Sequence, residues 1–359
     1  MPGSDGSIAD SPVQLSAEIA AMGSVRLYAG TAGHSTWFSS DLGDNWIHPN
    51  SHSGMYTEAR VWCFSSHPAE PDTLYAGSDM GLFRWSEAAQ AWHAIDSPMQ
   101  DVWAIAQDPA DAQSIIAGTR PGALFRSRDG GASWDQCETP GVKAFSEVNR
   151  GPTRVTQILF DPIDSDTVWA GIEIGGVWRS TDRGRRWTFV DRGLVSGDIH
   201  GVAVVRESDG SKSVLATTNK GLHRSRDNGE TWALEPLESP WQYSRAVVLA
   251  PDQQTLYLTN GNGPPGSTGR LLRSRDAGHN WEELRLPGTL NSTPWCVALH
   301  PADPSLIFTC TNLGQVFRST DGGGSWTRLA REFGEVRALH WRPAPDQTPS
   351  AQAAQWTYR

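Results

Sequence analysis

Glu173, Asp198 and His200 are the side chains best suited to moving protons. Glycoside hydrolysis asks for two carboxyl groups about 5–9.5 Å apart, one acting as acid and the other as nucleophile or base. Glu173, Glu335, Asp101 and Asp198 could supply such a pair. Tyr243 is a hydroxyl suited to partner Glu173 or to donate a hydrogen bond. His200 is a second proton carrier, because an imidazole ordinarily titrates near neutral pH, and Asp198 is close enough in sequence to steer it. Arg60, Arg120, Arg154, Arg245 and Arg337 are cations able to orient an anionic or polyhydroxylated ligand. Asn262 and Asn291 offer amide contacts. Trp62, Trp103 and Trp295 offer flat faces for sugar rings, or else core packing between structural units.

These residues are scattered from Arg60 to Arg337, so something periodic must bring them together. One pattern recurs along the chain: a short apolar strand, a turn, a second strand, then Ser-x-Asp-x-Gly-x-x-Trp. The copies are SSDLGDNW ending at Trp46, SRDGGASW at Trp134, STDRGRRW at Trp187, SRDNGETW at Trp232, SRDAGHNW at Trp281 and STDGGGSW at Trp326. WSEAAQAW, ending at Trp92, is a degenerate seventh that keeps an acid, Glu87, but has lost the Ser and the Gly. Asp and Ser side chains hold tight turns by bonding nearby backbone N–H groups, and Gly permits positive φ. Asp41, Asp129, Asp182, Asp227, Asp276 and Asp321 therefore read as turn-formers rather than catalytic acids. The Trp supplies an apolar face to pack beside the neighbouring repeat.

Each unit also carries an inner strand: RVWCFSSHP, DVWAIAQDP, RVTQILFDP, IHGVAVV, YSRAVVLAP, TPWCVALHP and EVRALHWRP. A second strand of the LYAGT type follows, then a third resembling LFRS, and a fourth starts at the repeat Trp. Four short strands per 42 to 53 residues describe a propeller blade. The expected fold is all-β: one seven-bladed β-propeller over 25–343 with four antiparallel strands per blade. The first unit lacks an inner strand and the last inner strand has no blade after it. Pairing the two closes the ring and removes an open sheet edge. Residues 1–24 and 344–359 are expected to be loose extensions.

The repeat resembles the Asp-box, or bacterial neuraminidase, family of sialidase-like propellers. That family includes sialidases, xyloglucan-cleaving endoglucanases, sortilin-type receptors and photosystem II assembly factors. The match runs along nearly the whole chain and is specific for fold. The resemblance implies either a sugar-acting enzyme or a non-catalytic scaffold. Sialidases use a Tyr activated by a Glu, with arginines on a substrate carboxylate, and Tyr243, Glu173 and the arginines above are of those types. The Arg-Ile-Pro motif of sialidases is absent, however, and their propellers have six blades. The xyloglucan enzymes pair two seven-bladed units in a cleft, whereas one set of repeats is present here.

Propeller topology separates two faces. The first-to-second strand turns (HPAEPDT, DPADAQS, DPIDSDT, HPADPS) share a face with the Ser-Asp turns and read as scaffold. The opposite face carries loops that vary in length and chemistry, at 47–59, 138–153, 234–242 and 260–270, where functional residues concentrate. Aligning inner strands on their shared Pro places Arg60, Asp101, Arg154, Tyr243, Thr293 and Glu335 in one ring, with Ile199 or His200 expected for the fifth blade. Two residues deeper stand Trp62, Trp103, Thr156, Arg245, Trp295 and Arg337. The second-to-third strand turns add Ala32, Asp79, Arg120, Glu173, Asn219, Gly261 and Asn312. Asp79, Asn219 and Asn312 fit ordinary turns. Arg120 and Glu173 do not, and read as functional groups or as an ion pair across the channel.

Composition narrows the partners. A net charge of −10 disfavours a nucleic-acid-binding role. No apolar stretch approaches the ~18 residues of a membrane span. The four cysteines form no CxxC pair, and the N-terminus has neither a basic nor an apolar leader region, so a reduced cytoplasmic protein is expected. His34, His52 and His200 fall on the loop-rich face but come from opposite sides of the ring, so no metal site is expected. No dinucleotide, phosphate-loop or flavin motif appears, and no cofactor is expected. The expected function is an enzyme of glycosidase-like, hydrolytic acid/base chemistry on a polar small molecule or carbohydrate. The alternative is a scaffold for a ligand or protein partner.

Overall fold

A computed structural model describes residues 25–48, 53–148 and 150–344. The expected loose segments therefore lie outside the described residues, Ala344 apart, as does His52. Seven antiparallel sheets stand in a ring, and no helix occurs among the described residues. In sequence order blade 2 opens with strand Val61–Ser65, blade 3 with Val102–Asp108 and blade 4 with Arg154–Phe160. Blades 5, 6 and 7 open with Ile199–Arg206, Tyr243–Leu249 and Pro294–Ala298. The last strand, Val336–Pro343, pairs antiparallel with Val25–Thr31, from Val25↔Pro343 to Thr31↔Val336, and so supplies the inner strand of blade 1. The ring is closed by hydrogen bonds between the chain's first and last strands, as the repeat count predicts. The fourth strand of blade 1 is reduced to a single bridge, Phe38↔Ile47. The long loop after blade 3 adds a small hairpin, Phe145–Ser146 with Gly151–Pro152.

The Ser-Asp turns show why the repeat has its spelling. In blade 1, Ser39 Oγ donates to Asp41 Oδ1 at 2.7 Å, the Gly43 N–H donates to Ser39 Oγ at 2.8 Å, and the Asn45 N–H donates to Asp41 Oδ1 at 2.9 Å. The same three bonds recur at Ser127/Asp129 and at Ser225/Asp227. All six aspartates are held below the usual carboxyl range. At Asp129 and Asp227 these hydrogen bonds dominate and bring the group to about 2. At Asp41, Asp182, Asp276 and Asp321 burial opposes the shift but the hydrogen bonds prevail.

The degenerate copy has a different task. Glu87 is buried and receives a 2.7 Å bond from Trp85 Nε1. It pairs with Arg26 at 3.3 Å and Arg342 at 3.5 Å, one residue from each of the two strands that close the ring. The lost turn became a clasp between blade 2 and the closure.

The apolar core is divided among the seven blade junctions. Seven clusters of buried side chains lie one at each junction, from Tyr28, Met55 and Phe83 between blades 1 and 2 to Leu27, Phe308 and Trp341 between blades 7 and 1. The repeat tryptophans pack toward the preceding blade, Trp187 with Ile116 and Trp232 with Trp169. Close approach depends on the Gly of the LYAGT-type strand. A Cβ on Gly118 would lie 2.5 Å from Val155 of the next blade.

Candidate functional site

The pairing register shifts at the same place in every blade. The shifts fall at Val61/Cys63, Val102/Ala104, Val155/Gln157, Ile199/Gly201, Ser244/Val247 and Pro294/Cys296, and opposite Gly30/Thr31 in the closing strand. A β-bulge leaves an extra residue out of the ladder and re-aims its side chain. The residues so released are Trp62, Trp103, Thr156, His200, Arg245, Trp295 and Arg337. All seven line one central cavity of about 220 Å³. The deeper ring read from the sequence is thus this bulge ring.

One register expectation is corrected. Blade 5 has no Pro marker, and Ile199 or His200 was expected in the upper ring. Ile199 pairs with Thr218 as Val155 pairs with Ile172, so Asp198 takes the upper position, beside Arg154, and His200 belongs to the bulge ring. Blade 5 lacks the marker because its inner strand runs on to Arg206, with the turn at 207–211.

The mouth is organised by ion pairs. Arg154 grips Glu173 with two bonds, Nε to Oε2 at 2.6 Å and Nη2 to Oε1 at 2.5 Å. The two residues are directly opposite in the ladder of blade 4. Arg120 lies 3.9 Å from Asp101, again within one blade, and Arg337 meets Glu335 two residues away. The expectation of an ion pair across the channel for Arg120 and Glu173 is corrected: each charge is met by the inner strand of its own blade, because the two strands deliver those positions side by side.

Glu173 also faces Asp198 across an isolated antiparallel bridge between blades 4 and 5. Asp198 Oδ2 lies 3.4 Å from His200 Nε2, while His200 Nδ1 is 2.8 Å from the Ser244 carbonyl. Asp198 Oδ1 is buried with no hydrogen-bond partner among the described residues. Burial works to raise the Asp198 carboxyl, but the His200 contact, with Arg245 and Arg154 nearby, outweighs it and holds the group below its usual range. Asp101 goes the other way. Burial raises it, although Trp62 Nε1 donates to it at 2.8 Å. Tyr243 is buried with its ring 4.8 Å from that of His200, and burial raises its hydroxyl. It is therefore a donor and not a phenolate at neutral pH.

The tryptophans and arginines interleave. Trp62 and Trp103 stack at 4.0 Å. Arg154 lies 4.4 Å over the Trp103 ring, Arg245 4.1 Å over that of Trp295, and Arg337 5.0 Å from the Trp295 ring. Burial lowers the Arg337 guanidinium to about 10, and Arg245 and Arg154 push the same way.

Other candidates fall outside this constellation. Asn262 is committed within its loop, donating to Ser267 Oγ at 2.9 Å and accepting from the Ser267 N–H at 2.8 Å. Asn291 donates to the Leu313 carbonyl and accepts from Thr311 Oγ1. Both amides brace their own loops, since short polar loops must satisfy their own backbone. Arg60 is exposed, and its N–H is bonded to Asp79 Oδ1 at 2.9 Å, which ties the second-to-third strand turn of blade 2 to the start of its inner strand. His34 is exposed in the first turn of blade 1. Gln157 was missed by sequence reasoning. Its amide bonds Val202 at both N–H (2.7 Å) and C=O (3.0 Å), clipping the blade 4 bulge to blade 5. Its place just after a bulge residue was the available signal.

The fold and the bulge ring define a seven-bladed propeller with a polar central cavity. No family model matches the chain. A xyloglucanase of Acetivibrio thermocellus is 28% identical over 328 residues, covering 76% of this chain and 38% of the relative. A xyloglucanase of Hypocrea jecorina is 25% identical over 328 residues, covering 73% and 38%. The chain thus spans about two-fifths of the length of the curated relatives it matches. Among solved structures, a Niastella koreensis GH74 enzyme superposes with a TM-score of 0.59 at 24% identity, over 75% of this chain and 45% of that one. YCF48 bound to D1 peptide gives 0.53 at 16%, over 75% and 80%. These structural likenesses bear on fold alone.

Proposed function

We propose that the loop-rich face of this propeller carries a carbohydrate-acting hydrolase site of the glycosidase type, in a chain of the Asp-box class. Asp198 and Glu173 form the acid/base pair. The observation that carries this is the Asp198 carboxylate: its Oδ2 lies 3.4 Å from His200 Nε2 while its buried Oδ1 has no partner among the described residues, directly across from Glu173. Buried polar atoms are nearly always satisfied, so an orphaned carboxylate oxygen facing a second acid marks a place for a substrate hydroxyl or a water. Tyr243 donates a hydrogen bond from the same ring, and Glu173 acts once a ligand draws Arg154 away from it. The similarity to xyloglucanases supports a β-glucan-derived substrate.

The test is reducing-end release from xyloglucan oligosaccharides by the full chain. Release abolished by Asp198→Asn supports the proposal, and no release from any oligosaccharide rejects it. One observation favours the scaffold reading instead. Tyr56, Met80, Val148, Val195 and Leu313 are large apolar side chains exposed on the same loop-rich face, and such a rim suits a protein partner. Capture of a defined partner that is lost when Tyr56 and Val148 become Asp, in a chain without hydrolytic activity, would establish that reading.

A further inference from the structure

Blade 7 departs from its neighbours at one pair of positions. Just past each bulge residue, the inner strand lies opposite the fourth residue of the LYAGT-type strand. That fourth residue is Gly30, Gly77, Gly118 and Gly171 in blades 1 to 4 and Thr217 in blade 5. The glycines keep the spot slim: a Cβ on Gly77 would lie 2.6 Å from the Sγ of Cys63, its inner-strand partner. In blade 7 the fourth residue is Cys310, and its direct partner in the ladder is Cys296. Their sulfurs are 3.2 Å apart. Directly opposed residues of antiparallel strands have Cα atoms about 4.5–5.5 Å apart, inside the about 4.4–6.8 Å that a disulfide spans.

The two thiols differ in access. Cys296 lines the central cavity, whereas Cys310 is fully buried. Cys63 supplies the comparison, since it lines the same cavity but faces a glycine. Burial pushes the Cys63 thiol up to about 12 and the Cys310 thiol well above its usual value. The thiolate is the reacting form, so neither of these two initiates oxidation at neutral pH.

We propose that Cys296 and Cys310 are a redox modification site, which a peroxide entering the central cavity converts to a cross-strand disulfide. The Cys296 sulfur attacks one peroxide oxygen. The O–O bond breaks, and the other oxygen leaves as water with the thiol proton. The Cys310 sulfur then attacks the resulting sulfenic sulfur. The S–S bond forms, the S–O bond breaks, and the hydroxyl leaves as water with the Cys310 proton. The pair gives up two electrons, and the peroxide is reduced to two waters. The new bond ties the inner and second strands of blade 7 together beside Trp295, the bulge residue that precedes Cys296.

The experiment treats the reduced, folded full chain with hydrogen peroxide at neutral pH and then counts free thiols in denaturant. The count is expected to fall from four to two, and dithiothreitol should restore all four. Both cysteines lie in one tryptic peptide, residues 286–318. After oxidation that peptide should resist alkylation and be about 2 Da lighter than its reduced form. Cys63→Ser should form the same bond, whereas Cys296→Ser and Cys310→Ser should form no intrachain disulfide. If Cys310→Ser misfolds because that position is buried, Cys296→Ser at the cavity wall decides alone. A parent that keeps four thiols would overturn the proposal. So would Cys296 driven to the sulfinic acid with Cys310 still free, a disulfide that persists in Cys296→Ser, or one that forms only in the unfolded chain.

Discussion

Glu173, at the end of the second strand of blade 4, and Asp198, at the start of blade 5, face each other across an antiparallel bridge that joins two blades. Neither is next to the other in sequence, and each is tied to a basic neighbour of its own. Arg154 holds both oxygens of Glu173 and His200 meets one oxygen of Asp198. Two acids are thereby tolerated side by side at the mouth of the channel, where like charges would otherwise repel.

The first prediction concerns that tolerance. Arg154→Met leaves Glu173 beside Asp198 without its cation, and should destabilise the fold by about 1–3 kcal/mol. Adding Glu173→Gln should restore part of the loss. A double-mutant cycle by urea denaturation measures the coupling, and strictly additive effects would show that the pair is not an energetic unit.

The second concerns the ring clasp. Glu87→Ala removes the carboxylate shared by Arg342 and Arg26, leaving the Arg342 side chain, only 3% exposed, with the Tyr28 hydroxyl and the Pro71 and Thr73 carbonyls. A cost of about 3–5 kcal/mol is expected, seen as a lower urea midpoint. A change below about 1 kcal/mol, the range of an exposed pair, would mean that the closure is held by the strand ladder alone.

The third concerns acid. The six turn aspartates have folded pKa values below the unfolded value near 3.9, so their stabilisation is complete above about pH 4. It is lost as pH falls through the folded values, about 2 for Asp129 and Asp227. The urea midpoint should therefore decline between about pH 4 and pH 2. An Asp129→Asn, Asp227→Asn double variant should show a shallower decline. An identical pH profile in both proteins would contradict this.

The fourth concerns blade spacing. Gly118→Ala forces a Cβ to within 2.5 Å of Val155 Cβ on the next blade. Overpacking of this kind costs about 1–3 kcal/mol, and thermal unfolding followed by circular dichroism reads it directly. A variant as stable as the parent would show that the junction can open at no cost.

Much of this was legible in the sequence because the repeat is a local code. The Ser, Asp and Gly of each turn bond to one another within five residues, so Asp41 or Asp227 can be read without knowing the fold. Closure was legible for a similar reason: Val25–Thr31 and Val336–Pro343 were each half of a unit. The alignment that placed Trp62 and Arg337 in one ring also succeeded, since it followed a shared Pro. It failed at blade 5, where the Pro is missing and Asp198 and His200 slipped by one ring. The bulges were not legible, because a register shift is a property of two strands and leaves no mark in one. Partners were not legible either. Arg154 and Glu173 were both singled out, but only the ladder shows them opposite. Glu87 looked like the remnant of a turn, and only the closed ring brings Arg342 to it.

The most direct test of the central claim is kcat/KM on xyloglucan oligosaccharides for the parent chain, Glu173→Gln and Asp198→Asn. General acid/base groups contribute about 10²–10⁴-fold, and we predict a loss of that size in each variant with the fold unchanged. Full turnover in Glu173→Gln or Asp198→Asn would contradict the assignment of these two carboxylates as the reacting pair.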